Sequence, residues 1–105
     1  MTCTVTKDPD NTWYVYIDWS DWFEDQIENI GGTFTLTVSN WFPDTAITEE
    51  GKNFSDTTKQ TALFGSGGTA GVTYDILNRI SYTSSVFGAQ VFTEDRTIQV
   101  RIKEK

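Results

Sequence analysis

Apolar and polar residues alternate with a period of two along much of this chain, the pattern of strands with one buried and one solvated face. In the run Trp13-Tyr14-Val15-Tyr16-Ile17-Asp18-Trp19, residues Trp13, Val15, Ile17 and Trp19 share one face, and Tyr14, Tyr16 and Asp18 share the other. After a turn at Gly31-Gly32, the stretch 33–40 alternates again. Phe34, Leu36 and Val38 face one way, and Thr33, Thr35, Thr37 and Ser39 the other, which predicts a half-buried antiparallel strand with a threonine-rich outer face. A short strand is expected over 46–48 and another over 57–64, after which Gly65-Ser66-Gly67-Gly68 is read as a break. The longest candidate covers 72–82, with Val72, Tyr74, Ile76, Ile80 and Tyr82 on one face and Asn78 interrupting it. The last begins at Val91-Phe92 and ends in Ile98, Val100 and Ile102, alternating with Gln99, Arg101 and Lys103.

Only 21–30 (DWFEDQIENI) has helical spacing, through Trp22, Phe23, Ile27 and Ile30, and it is expected to make one helical turn at most. Short strands separated by regular turn signals predict a sandwich or barrel. The segment Gly68 to Tyr74 narrows the choice. A glycine turn leading into a strand with an early inward Tyr is the place where immunoglobulin-like sandwiches bond a tyrosine hydroxyl back to upstream backbone. The expected fold is therefore all-β, an immunoglobulin-like antiparallel β-sandwich of about seven strands in a single domain spanning residues 1–105.

Composition then limits the function. The net charge of -7 leaves no basic face for nucleic acid or for an anionic membrane surface. Charge is uneven: Asp8, Asp10, Asp18, Asp21, Glu24, Asp25 and Glu28 fall in one stretch with no Lys or Arg between them, while Arg96, Arg101, Lys103 and Lys105 end the chain. Either the two ends pair and neutralise each other, or the acidic stretch faces a basic partner. The opening residues lack a basic flank followed by an apolar stretch, so folding in a cytoplasm without a secretory signal is expected.

Catalytic chemistry has little to work with. There is no His and one cysteine, Cys3, so nucleophilic triads, Cys–His pairs and zinc sites of ordinary spacing are absent from the sequence, and Cys3 is read as a small apolar filler. The glycine run at 65–68 lacks the Lys of a phosphate loop. Asp8-Pro9-Asp10-Asn11 has alternating oxygen ligands that calcium could use, but a turn held by Asp and Asn bonding to their own backbone explains it as well. No enzyme activity, cofactor or metal is expected. Four Trp residues, at 13, 19, 22 and 41, suit either a core or an exposed platform for a sugar or a protein.

Several ordered stretches carry a resemblance. Lys7-Asp8-Pro9-Asp10 and Tyr16-Ile17-Asp18-Trp19-Ser20-Asp21-Trp22 resemble the opening of a family of short tailed-bacteriophage virion proteins. Phe54-Ser55-Asp56-Thr57-Thr58, the stretch from Gly67 to Tyr74, Asn78-Arg79-Ile80 and the stretch from Thr97 to Lys105 resemble its second half. The family is described as fibre–tail adaptors. The resemblance implies a structural protein of the virion, assembled in the host cytoplasm and bound to other virion proteins, with a symmetric ring as the expected arrangement. A capsid decoration protein and a carbohydrate-binding or host-adhesion module are the alternatives. The stretches 41–52 and 82–94 depart from the family pattern; the second includes a hairpin at Phe87-Gly88-Ala89, and both are where partner choice would be set.

Trp22, Phe23, Trp41 and Phe42 are the aromatics that strand alternation explains least, and Asp21, Glu24 and Asp25 surround the first pair with negative charge. These seven residues and Phe87 are the expected protein interface, with Trp22 or Phe23 filling a partner's apolar pocket. In the competing arrangement, Trp22 and Phe23 fold under and close the end of the sandwich.

Overall fold

The computed structural model describes residues 3–7, of which 3–5 as backbone only, and 11–103. The Cys3 side chain and the loop at 8–10, with its calcium expectation, lie outside the described residues. The strands are β1 (Cys3–Lys7), β2 (Trp13–Asp18), β3 (Phe34–Phe42), β4 (Ile47–Ser55), β5 (Gln60–Gly67), β6 (Thr73–Ser84) and β7 (Val91–Ile102), with one helix, α1 (Ser20–Ile30), between β2 and β3. They form two sheets, ordered β1-β7-β6-β3 and β2-β5-β4. All pairs are antiparallel except β1 with β7, which run parallel from Cys3 opposite Ile98 to Lys7 opposite Ile102. The chain is an all-β sandwich, antiparallel as expected apart from this one parallel pair.

The alternation explains the layers. Trp13, Val15 and Ile17 of β2 and Leu63 of β5 are buried, as are Tyr74, Ile76 and Ile80 of β6 and Ile98, Val100 and Ile102 of β7, and all belong to one core cluster. Two sheets with one apolar face each can dry those faces only against one another. The Tyr74 hydroxyl accepts a hydrogen bond from the Thr69 N–H at 2.9 Å, closing the corner between β5 and β6 as the sequence predicts.

Four strand readings change. In β3 the register slips between Leu36 and Val38, so Thr37 is an extra residue in the ladder. The bulge reverses the phase: Val38 is 42% exposed while Ser39 and Trp41 are buried. β4 is nine residues long rather than a short run, because its edge position leaves it without apolar side chains from Thr48 to Asn53 and hides the strand pattern. β5 starts at Gln60 and runs through Gly65 to Gly67, the positions read as a break; pairing with β2 and β4 carries Gly65 within the ladder, and Gly67, at φ 84°, ends the strand. Thr57 to Lys59 form the preceding turn.

Asn78, which interrupts the inward face of β6, is fully buried and ties the layers together. Its Oδ1 accepts from Trp19 Nε1 at 3.0 Å and from Thr61 Oγ1 at 2.8 Å, and its Nδ2 donates to Ser39 Oγ at 3.0 Å and to the Asn40 C=O at 2.9 Å. Thr61 lies in the sheet opposite Asn78, so the amide spans the sandwich. All four of its hydrogen-bonding positions are filled.

The helix is the largest departure from expectation: α1 has 11 residues, not a single turn. Short helices gain their stability from what they pack on. β6 and β7 remain paired as far as Thr83 and Val91, well past Asn78 at the β2 end, and α1 covers the inner face of that extension. Asp18 Oδ1 accepts the Ser20 N–H at 2.9 Å at the helix start, and Asp21 in the first turn suits the positive end of the helix dipole. Gly31, at φ 85°, ends the helix, with its N–H bonded to the Ile27 C=O at 2.7 Å.

Candidate protein interface

The end of the molecule built from α1 and the β6–β7 hairpin gathers most of the expected site. Phe23 is the inward anchor of α1: only 2% exposed, it meets Phe34 and Tyr82 at ring-centroid distances of 6.0 and 5.6 Å. Trp22 is half-buried, edge-on to Trp19, Phe23 and Tyr82. Tyr82 stacks on Phe92, and Phe92 meets Phe87 at 5.7 Å, so an aromatic chain runs from the helix to the hairpin tip. These rings extend the one core toward the hairpin, and burial together with nearby Glu94 pushes the Tyr82 phenol up from its ordinary pKa.

Side chains from the rest of the fold hold the helix in place. The Lys59 C=O accepts the Trp19 N–H at 2.8 Å, and Lys59 Nζ lies 5.5 Å from the centre of the Phe23 ring. The Arg96 guanidinium stacks 4.4 Å over Trp19 and donates to the Asp18 C=O at 3.1 Å. Hydrogen bonds from the Ser20 hydroxyl and N–H hold the Asp18 carboxyl below its ordinary pKa. On the far side, the Ser85 N–H bonds to the Thr33 C=O at 2.9 Å and the Thr33 N–H to Ser85 Oγ at 2.8 Å. There Gly32, at φ 78°, lies so close to the hairpin that a Cβ would stand 2.8 Å from Val86 Cγ2.

The remaining expected residues divide. Asp21, Glu24 and Asp25 are exposed on α1, and Phe87 is exposed at the tip, so these four share one end. Trp41 and Phe42 do not join them. Trp41, 6% exposed, is core, because the Thr37 bulge turns it inward; Phe42 is exposed on the far part of β3, 5.5 Å from the Arg79 guanidinium. Phe23 and Trp41 are thus corrected from interface to core, and Trp22 is mostly given to packing, as the closed-end arrangement foresees.

The exposed apolar residues that stand in their place are Ile27 and Ile30 on α1 and Val86, Phe87 and Val91 on the hairpin. The helical spacing of Ile27 and Ile30 is legible in the sequence; their exposure is not, because it depends on which side of α1 meets the sheet. Among the described residues, Asp21, Glu24, Asp25 and Glu28 form no ion pair, and the two salt bridges are Lys59–Asp56 and Arg79–Asp95. The four acids of α1 therefore have no ion partner among the described residues, whereas Asp18 just before the helix lies beside Arg96 of β7. No group of three or more metal-ligating side chains is found among the described residues, and no described helix is long and apolar enough to cross a membrane.

A family model described as the podophage GP4 fiber-tail adaptor protein gp77 matches residues 7–101. The chain belongs to this fibre–tail adaptor family. The match takes in α1, five complete strands (β2 to β6) and all of β7 but Ile102, and so spans the residues of the candidate interface. No curated protein and no solved structure matches the chain. As a member of this family the adaptor is a structural component of the phage virion.

Proposed function

We propose that this adaptor joins the podophage tail to its fibres through protein–protein contacts alone, without catalysis, and that the end formed by α1 and the β6–β7 hairpin is one of the joining surfaces. The observation that carries the proposal is the coincidence, at one end, of five exposed apolar side chains with four acids that have no ion partner among the described residues. Interfaces draw most of their energy from apolar anchors, and charges around them set approach and orientation. The partner should offer an apolar pocket with Lys or Arg near it. Several copies around the tail axis in a symmetric ring would follow from the symmetry of the particle. The fold is read as immunoglobulin-like: the orders β2-β5-β4 and β3-β6-β7 match the B-E-D and C-F-G arrangement of those domains, and the Tyr74 hydroxyl bond to Thr69 supports the same reading.

Phe87→Asp and Ile30→Asp test this surface, since both side chains are about half exposed or nearly so at 51% and 43%. Each should leave thermal stability close to wild type, within about 0.5 kcal/mol for an exposed site, and each should lower the amount of the chain in purified particles. Wild-type incorporation of both variants would contradict the proposal.

A second reading has its own support. Tyr16, Phe54 and Phe64, with Asn53 and Gln60, line a shallow groove of about 160 Å³ on the three-stranded sheet. Aromatic walls with amide side chains suit a sugar ring. Glycan-array binding lost in Tyr16→Ala, with particle assembly intact, would favour a host-adhesion role for that face.

A further inference from the structure

The long β7 strand is paired along its whole length on one side only. β6 accompanies it from Val91 to Arg101, whereas β1 covers only Ile98 to Ile102 on the other side. Which backbone groups face outward follows from the ladder. The Ile102 N–H donates to the Val72 C=O and its C=O accepts from the Gly71 N–H, so even-numbered residues of β7 turn their backbone groups to the β6 side. The Lys103 N–H donates to the Lys7 C=O, so odd-numbered residues face the β1 side. The β6–β7 register has no shift, and the alternation therefore carries down to Val91, Thr93 and Asp95, whose backbone groups face outward where no described strand lies.

Two of these groups have only stand-in partners from the chain itself. The Asp95 N–H donates to Glu94 Oε1 at 3.2 Å, and the Val91 C=O accepts from Gln90 Nε2 at 3.1 Å. Thr93 has no partner for either backbone group among the described residues. Open edges are templates for strand addition, and proteins normally blunt them. β3 has its Thr37 bulge, and its Leu36 N–H is taken by Asp56 Oδ1 at 2.7 Å. β4 has a register shift between Glu49 and Gly51 and charges at Glu49, Glu50 and Lys52. The β7 edge has no bulge, and it lies in the row that β1 already begins.

We propose that the β7 edge from Val91 to Asp95 accepts an extended, basic segment of another virion protein as an added strand. This rests on the adaptor reading above and names how the partner is held. Backbone hydrogen bonds would supply the affinity and side chains on alternate positions the specificity. The charge of the occupant follows from the edge: Glu94 lies in the row with no ion pair among the described residues, Asp95 being held by Arg79, and the chain carries -7 overall, so a second copy would bring like charge to the same place. A Lys or Arg on the incoming strand would draw Glu94 away from the Asp95 N–H and free that donor for pairing. Val91, 54% exposed, and Phe87 at the neighbouring tip offer apolar contact at the start of the row.

Proline separates the edge from the ladder. The Thr93 N–H faces outward, so Thr93→Pro removes no β6–β7 hydrogen bond, whereas Glu94→Pro removes one. Thr93→Pro should melt near wild type yet fall at least tenfold in particle incorporation, and Thr93→Ala, which keeps the N–H, should incorporate normally. Hydrogen exchange supplies the second measurement, independent of any variant. The amides of Val91, Thr93 and Asp95 should exchange quickly in the free chain and at least a hundredfold more slowly in particles. Equal exchange in both, or normal incorporation of Thr93→Pro, would overturn the inference while leaving the adaptor reading standing. Protection that rises with concentration of the purified chain would make the occupant a second copy, which also contradicts it. Particles that lack the chain would defeat the adaptor reading itself.

Discussion

Replacing Asn78 by Leu keeps the side-chain volume nearly constant and removes all four hydrogen bonds of a fully buried amide. Two of its partners cannot adapt. Trp19 Nε1 is only a donor and the Asn40 C=O only an acceptor, which also fixes the orientation of the amide. Each buried group left without a partner costs about 1–3 kcal/mol, so the pair costs roughly 4 kcal/mol. Thr61 and Ser39 can turn their hydroxyls toward other acceptors and add less. Counting instead four bonds at about 1 kcal/mol each gives the same figure. Against a total stability of about 5–15 kcal/mol for a typical domain, that is a large share. Urea unfolding followed by Trp fluorescence measures it directly. A loss under about 1 kcal/mol for Asn78→Leu would refute the claim that this amide couples the two sheets. Asn78→Asp adds a test with a sign. A carboxyl buried beside the Asn40 C=O should have a folded pKa above the unfolded value of about 3.9. Its penalty should then be small at low pH, grow as pH rises above about 4, and level off once the folded pKa is passed.

Tyr74→Phe removes the acceptor for the Thr69 N–H and should cost about 1 kcal/mol in the same unfolding assay. Acid should destabilise the wild type through three carboxylates with lowered pKa: Asp18, held by Ser20; Asp56, held by Lys59 and the Leu36 N–H; and Asp95, held by Arg79. A carboxylate with a lowered folded pKa gives stability that is present above its unfolded pKa and is lost as pH falls through the folded value. Melting temperature should therefore fall from about pH 4 downward, and a flat profile from pH 5 to about 2 would contradict these contacts.

The core strands were legible because burial on one face writes a period of two into the sequence, as in Val15, Ile17, Ile76, Ile98 and Val100. Tyr74 was legible because its role depends on a local glycine turn. What escaped depends on distant residues. The Thr37 bulge is a property of the β3–β6 pair, so nothing within 33–42 announces that Ser39 and Trp41 point inward. Asn78 looks like a flaw in an apolar face until Thr61, Ser39 and Trp19 are brought around it. The length of α1 is set by the inner face of the β6–β7 extension, and four acids with no basic residue in its last turn make the same segment look like a loop. The proposed interface was legible only in part. The acids of α1 and Phe87 are exposed at one end, but Phe23 and Trp41 show that an aromatic unexplained by alternation can still be core.

Imaging the intact particle at residue resolution tests the central claim most directly. The account predicts the chain at the junction between tail and fibre, with Ile27, Ile30 and Phe87 buried against a neighbouring virion protein and basic residues of that neighbour facing Glu24, Asp25 or Glu28. A chain located there with the α1–hairpin end turned to solvent, or a chain located away from the junction, would contradict it.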